Sequence, residues 1–194
     1  QDFQKLFTTL QFALSVVEAN DEKVRINRKM AAIAEGVLAN PDRAIEAYKR
    51  VLGVLPRDAE TETALVALYE KTGKWHALVE FYNERLRHLP IEDVAHRVET
   101  LYHIIDIYRD PAKLPGDDNV LATFARVVEV APTNLEALET LERGYRARAR
   151  WPDLLKILQK KAQITSESGP LLELLRRIAD IAITRMSNEA LALP

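Results

Sequence analysis

Four histidines, His76, His88, His96 and His103, are the first side chains in this chain to consider for chemistry. Imidazole is the commonest metal ligand and titrates near neutral pH. His96 and His103 stand seven residues apart. On a helix they share a face but lie about 10 Å from each other by helix rise. There is no HExxH segment and no His pair at i, i+4, so no zinc site is expected. Nucleophile chemistry fares no better. The chain has no cysteine and no GxSxG elbow, and Ser15, Ser166, Ser168 and Ser187 have no base nearby in sequence. Gly169-Pro170 is a break between helices rather than a phosphate-binding loop. The acid pairs Asp117-Asp118 and Glu60/Glu62 read as linker solvation and helix-start charge. No catalytic residue, metal or cofactor is expected.

Arginine is more informative. From Arg143 to Lys161 the chain carries seven basic residues (Arg143, Arg146, Arg148, Arg150, Lys156, Lys160, Lys161) and one acid, Asp153. Arg143, Arg146 and Arg150 fall at i, i+3, i+7, the spacing of one helix face. Planar guanidinium forks suit carboxylates, so the stretch could dock an acidic segment or a chain terminus. The same residues also fit a solvated, salt-bridged helix surface.

The elements that must hold these side chains are helical. Apolar residues recur at spacings of three and four, as in Leu65, Leu68, Tyr69 and in Leu171, Leu174, Leu175, Ile178. Ten helices are expected, at about 2–18, 22–39, 41–54, 59–72, 75–88, 91–109, 120–130, 134–148, 151–165 and 170–186. Pro41 and Pro152 suit first turns, Asp58 and Asn134 suit helix starts, and Gly73 suits a helix end with positive φ. Asn20-Asp21 is expected to break the first helix, and residues 110–119 to form an insertion loop. The tail 187–194 is expected to fray or to begin a further helix.

The chain also repeats itself. Residues 44–79 return 76 positions later as 120–155, with nine identities over 36 positions, among them Val51/Val127, Leu65/Leu141, Tyr69/Tyr145, Trp75/Trp151 and Leu78/Leu154. Ordinary residue usage gives about two. Within each copy runs a beat of 34: Ala44, Tyr48 and Pro56 are followed by Leu78, Tyr82 and Pro90. This pattern resembles the second half of a tetratricopeptide repeat (TPR), in which Ala, an aromatic and a terminal Pro recur at that period. The family's Trp and Gly early in the first helix are absent. Trp75 and Trp151 instead open the second helix of alternate pairs.

The resemblance implies an all-α, right-handed α-α superhelix of about ten antiparallel helices, a TPR-like solenoid spanning residues 1–194. The expected helix pairs are 22–56, 57–90, 91–132, 133–166 and 167–194. Small residues (Ala44, Ala47, Ala64, Ala67) are expected to allow close helix approach. Tyr69, Tyr145, Trp75 and Trp151 are expected to fill the gaps between pairs. In the family the first helix of each pair lines a concave groove. By that implication Arg143 and Arg146 face the groove, with Arg176 and Arg177 from the following pair and Tyr102 and His103 from the preceding one. The clamp of the chaperone-binding TPR subclass is not matched, because Glu60, Thr63 and Ala67 stand at its groove positions in residues 59–72.

The function implied is a non-catalytic scaffold that holds a protein or peptide partner, an acidic one if the arginines are used. The alternatives are an RNA-associated half-a-TPR protein and a regulatory module fused to an enzyme. Net charge is −2, with 27 basic and 29 acidic residues, which disfavours nucleic acid and membrane surfaces. No apolar run is long enough to span a bilayer. The cytoplasm is the favoured compartment. A start at Gln1, inside an amphipathic helix, suggests a segment of a longer, bacterial protein, and leaves the periplasm open.

Overall fold

The computed structural model describes residues 2–186, so the expectation for the tail 187–194 lies outside the described residues. The described chain is all-α, a succession of ten α-helices. These are α1 Asp2–Val16, α2 Asn20–Gly36, α3 Pro41–Val54, α4 Ala59–Thr72, α5 Trp75–His88, α6 Val94–Arg109, α7 Asp117–Val130, α8 Leu135–Ala147, α9 Trp151–Ile164 and α10 Ser168–Ile181. A π-helical turn, Ala182–Met186, follows α10. The residues form two compact units, one ending at Pro90 and the other beginning at Ile91. In the first, α1 packs on α2, α2 on α3, α3 on α4 and α4 on α5. In the second the same neighbour-on-neighbour order runs from α6 to α10.

Local chemistry fixes several helix ends. Asn40 caps α3, its side chain accepting from the Arg43 N–H at 3.1 Å, with Pro41 in the first turn. Asp58 caps α4 and accepts from the Thr61 N–H at 3.2 Å. Asn134 caps α8 and accepts from the Ala137 N–H at 2.9 Å. Gly73 ends α4 in the left-handed region at φ 65°.

Several boundaries differ from the expectation: α1 ends at Val16 and α2 at Gly36, short of 18 and 39, α10 runs from Ser168 to Ile181 rather than 170–186, and three helix starts shift. Asn20 does not break α1. It opens α2, and the break is Val17–Ala19. Helix α6 begins at Val94 instead of 91, because Asp93 provides a capping carboxylate that accepts from the His96 N–H at 3.4 Å. Helix α7 begins at Asp117, three residues early. The acids Asp117 and Asp118 therefore sit in a first helical turn, where the helix dipole favours them. The loop between α6 and α7 folds back on the end of α6, the Gly116 N–H donating to the Tyr108 carbonyl at 3.1 Å.

Burial explains the internal echo. Val51 and Val127, Leu65 and Leu141, and Leu78 and Leu154 are all essentially inaccessible, and Tyr69 and Tyr145 are buried with them. Ala44 and Ala47 are buried where α3 meets its neighbours. Two core expectations are corrected. Trp75 and Trp151 are only half-buried, and Ala64 and Ala67 are half-buried and exposed. Each Trp opens its helix, beside a solvent-facing cap, so its ring lies over the end of the core rather than inside it. The Arg185 guanidinium covers the Trp151 ring at 5.1 Å.

A second periodicity is polar. Side chains about one beat apart bridge alternate helices. Arg28 of α2 reaches Asp58 at the start of α4 at 2.8 Å. Tyr102 of α6 donates to Glu136 of α8 at 3.0 Å. Arg177 of α10 reaches Glu142 of α8.

Candidate functional site

Helix α8 buries Ala137, Leu138, Leu141, Glu142 and Tyr145. Four of these follow the apolar i, i+3, i+4 row expected of an inward face. The fifth, Glu142, puts a carboxylate into that row with only 9% of the residue exposed. Burying a charge is costly unless it is paired, and Glu142 is paired three ways. Arg146, one turn on, meets Oε1 at 2.8 Å, and Lys161 of α9 meets Oε2 at 2.7 Å. Arg177 of α10 also reaches Oε1. Burial by itself raises the Glu142 carboxyl. The hydrogen bonds from Lys161 and Arg177, with their charges, outweigh it and hold the group below the usual carboxylate range.

An open pocket of about 540 Å³ lies against this cluster, lined by Glu139, Glu142, Arg143, Arg146, Ala147 and Lys161. Three cations and two carboxylates line it, and Arg177 adds a fourth cation through Glu142. Arg143 and Arg176 are exposed and hold no ion pair among the described residues.

Of the six residues picked out by sequence, Arg143 and Arg146 line one pocket, and Arg146 and Arg177 share one carboxylate. Arg176 is exposed on the same helix as Arg177. Tyr102 has another task. Its hydroxyl donates to Glu136 at 3.0 Å and to the capping Asn134 at 3.3 Å, and its ring meets Phe124 edge-on at 6.0 Å. It secures the beginning of α8. Burial is the largest influence raising its phenol, and the neighbouring Glu136 acts in the same direction. His103 is exposed on α6.

The rest of the basic stretch is dispersed. Helix α8 ends at Ala147, and Ala149 takes positive φ (54°). Arg150 therefore caps α9 and does not share the α8 face with Arg143 and Arg146, correcting that expectation. It pairs with Asp153 at 2.6 Å and covers the Tyr145 ring at 4.6 Å. Arg148 turns to Asp118 at 3.2 Å, and Lys156 to Asp153 at 3.5 Å.

Sequence reading missed Glu142 as the hub. The available signal was a carboxylate inside the apolar row of α8. The corresponding residue in the first copy is Val66. That copy has a related bridge, from Arg85 of α5 to Glu62 of α4 at 3.5 Å. Lys161 occupies the Arg85 slot, and the carboxylate has moved one helical turn along, from the Glu62 slot to Glu142.

Among the described residues no helix is long and apolar enough to cross a membrane. No group of three or more potential ligand side chains among them could hold a metal ion. No protein-family model matches the chain, and no curated protein matches it. Solved structures that are similar include one described as the crystal structure of MamA, at 15% identity and a TM-score of 0.38, covering 92% of each chain. Another, described as the crystal structure of MamA protein, has 16% identity and a TM-score of 0.38, covering 90% of this chain and 97% of that one.

Proposed function

We propose that the chain is a non-catalytic interaction scaffold, and that the α8–α10 surface holds an acidic peptide segment of a protein partner. The observation that carries this reading is the uneven charge around Glu142. Three cations converge on one buried carboxylate, and Arg143 stands at the same pocket with no pair of its own among the described residues. Glu142 fixes the direction of the cations around it. Prearranged donors lose less freedom on meeting a carboxylate than mobile surface side chains do. Arg143 and Arg176 supply exposed forks for the partner, and Arg146 and Arg177 can share theirs with it. Tyr102 acts one step away by holding the start of α8, and His103 is exposed on the same helix as Tyr102.

The competing reading, an RNA-associated helical repeat, lacks a specific observation in its favour. Fluorescence anisotropy with an acidic peptide and a single-stranded RNA of equal charge, each at two salt concentrations, separates the two. The scaffold reading expects saturable peptide binding that weakens with salt and little RNA binding. Tighter RNA binding with a steep salt slope would replace it.

A further inference from the structure

The cluster around Glu142 holds more positive charge and more hydrogen-bond donors than its own carboxylates use. Among the described residues, Arg143, Arg146, Lys161 and Arg177 stand there against Glu139 and Glu142, four cations to two carboxylates, an excess of two positive charges. Both Glu142 oxygens are occupied. Oε1 accepts from Arg146 at 2.8 Å and from Arg177, and Oε2 accepts from Lys161 at 2.7 Å. Each arginine gives that bond from Nη2 alone, whereas a guanidinium carries five N–H donors in a planar fork. The Arg146 and Arg177 side chains remain partly exposed. Arg143 lines the same pocket, is exposed, and holds no ion pair among the described residues.

The surplus is local. Farther along the basic stretch, Arg148 meets Asp118, and Arg150 and Lys156 meet Asp153. A ligand that answers the surplus must bring about two negative charges and several acceptor oxygens. A partner carboxylate brings one charge and two oxygens. A phosphate monoester brings close to two charges at neutral pH and three strong acceptor oxygens, so it fits better. Arginine forks match phosphate as well as carboxylate geometry. Glu142 has a part in this. It holds Arg146, Lys161 and Arg177 together although they repel one another, so the positive surface exists before a ligand arrives. The open pocket of about 540 Å³ leaves room for the group.

We infer that this surface recognises a phosphorylated serine or threonine within the partner's acidic segment, an inference that rests on the scaffold function proposed above. Arg143 and the remaining donors of Arg146 and Arg177 take the phosphate oxygens. Lys161 adds charge from α9, and Glu142 stays in place as the counter-ion that orders the cations. Adding or removing the partner's phosphate then switches docking on or off, with no chemistry performed by this chain.

The test is fluorescence anisotropy of the intact chain with three labelled versions of one acidic peptide, carrying serine, glutamate or phosphoserine at the same central position. The phosphoserine peptide is expected to bind at least about tenfold more tightly than the glutamate peptide. Its affinity is expected to fall severalfold from about pH 7.5 to about pH 5.5, as the phosphate takes up its second proton, while that of the glutamate peptide stays level. The glutamate peptide sees the same protein titrations, so the difference reports the phosphate alone. Arg143→Gln narrows the gap between the two peptides, with thermal melting confirming that the variant folds. Equal affinity for the phosphoserine and glutamate peptides, or a phosphoserine affinity flat across that pH range, would overturn the inference and leave the scaffold function standing. Free phosphoserine competing as well as the phosphopeptide would also overturn it, because the site would then belong to a small phosphate monoester. Absence of binding by all three peptides would overturn both the inference and the scaffold function.

Discussion

Glu142 of α8 and Lys161 of α9 are joined at 2.7 Å, with side chains only 12% and 20% exposed. Arg146 and Arg177 close on the same carboxylate from α8 and α10. One acidic side chain thus ties three successive helices together through cations that lie at the surface. Fold and candidate site share this residue, so experiments on Glu142 report on both.

Replacing Glu142 by Gln keeps the shape but removes the charge that three cations face. The expected loss of stability is about 1–3 kcal/mol, the range for charge-assisted bonds at a mostly buried group. Urea unfolding reads it as a lower midpoint at unchanged slope. Arg25→Gln, which breaks an exposed pair with Glu22, is expected to change stability by less than about 1 kcal/mol.

The same residue gives a pH dependence of definite sign. The folded state holds the Glu142 carboxyl below its ordinary value, which is about 4.3 in an unfolded chain. Its contribution is fully present above that value and is lost as pH falls through the lower, folded one. The stability difference between wild type and Glu142→Gln is therefore expected to be flat from neutral pH down to about 5 and to shrink below about 4. Asp58 adds to acid sensitivity in the same direction. The Thr61 hydroxyl is the largest influence lowering its carboxyl, and Arg28 assists.

Gly144 of α8 stands against the Leu121 side chain of α7 with no room for a Cβ. A Cβ there would stand 2.4 Å from Leu121 Cδ2 and 3.2 Å from its Cγ. Leu121 is itself buried, so it cannot simply swing away. Gly144→Ala is expected to lower stability by about 1–2 kcal/mol despite the better helix propensity of alanine. Pairing it with Leu121→Ala is expected to give less than the sum of the two losses, measured as a double-mutant cycle.

The two tryptophans show how far periodicity reaches. Leu154 is fully buried, and Leu154→Ala is expected to cost about 2–5 kcal/mol. Trp151 is half-buried at the helix start, and Trp151→Ala is expected to cost about 1–2 kcal/mol, less than a buried aromatic would. Thermal melts of the two variants side by side establish the order.

Repetition in sequence identifies positions that pack alike, which is why Val51/Val127 and Leu65/Leu141 could be read as core. It does not reveal depth within a slot, so Trp75 and Trp151 were overplaced. Helix ends with a Pro, a Gly or an Asn cap were legible, because each has a local cause. Asp93 as the α6 cap was hidden behind Pro90, which suggested an earlier start.

At the site, Arg143 and Arg146 were legible from helical spacing, because both lie on α8. Arg150 was misplaced, because the turn at Ala149 has no Gly or Pro to announce it. Glu142 was passed over for a different reason. Its role depends on Lys161 and Arg177, which come from two other helices and are brought to it only by the fold.

The most direct test of the scaffold reading is a calorimetric titration of an acidic peptide into wild type and into Arg143→Glu/Arg176→Glu. Both arginines are exposed and hold no ion pair among the described residues, so the double variant is expected to melt with wild type. The account predicts saturable binding by wild type, weakened by salt and reduced at least about tenfold in the variant. Equal binding by the two proteins, at matched salt and with matched melting, would contradict it.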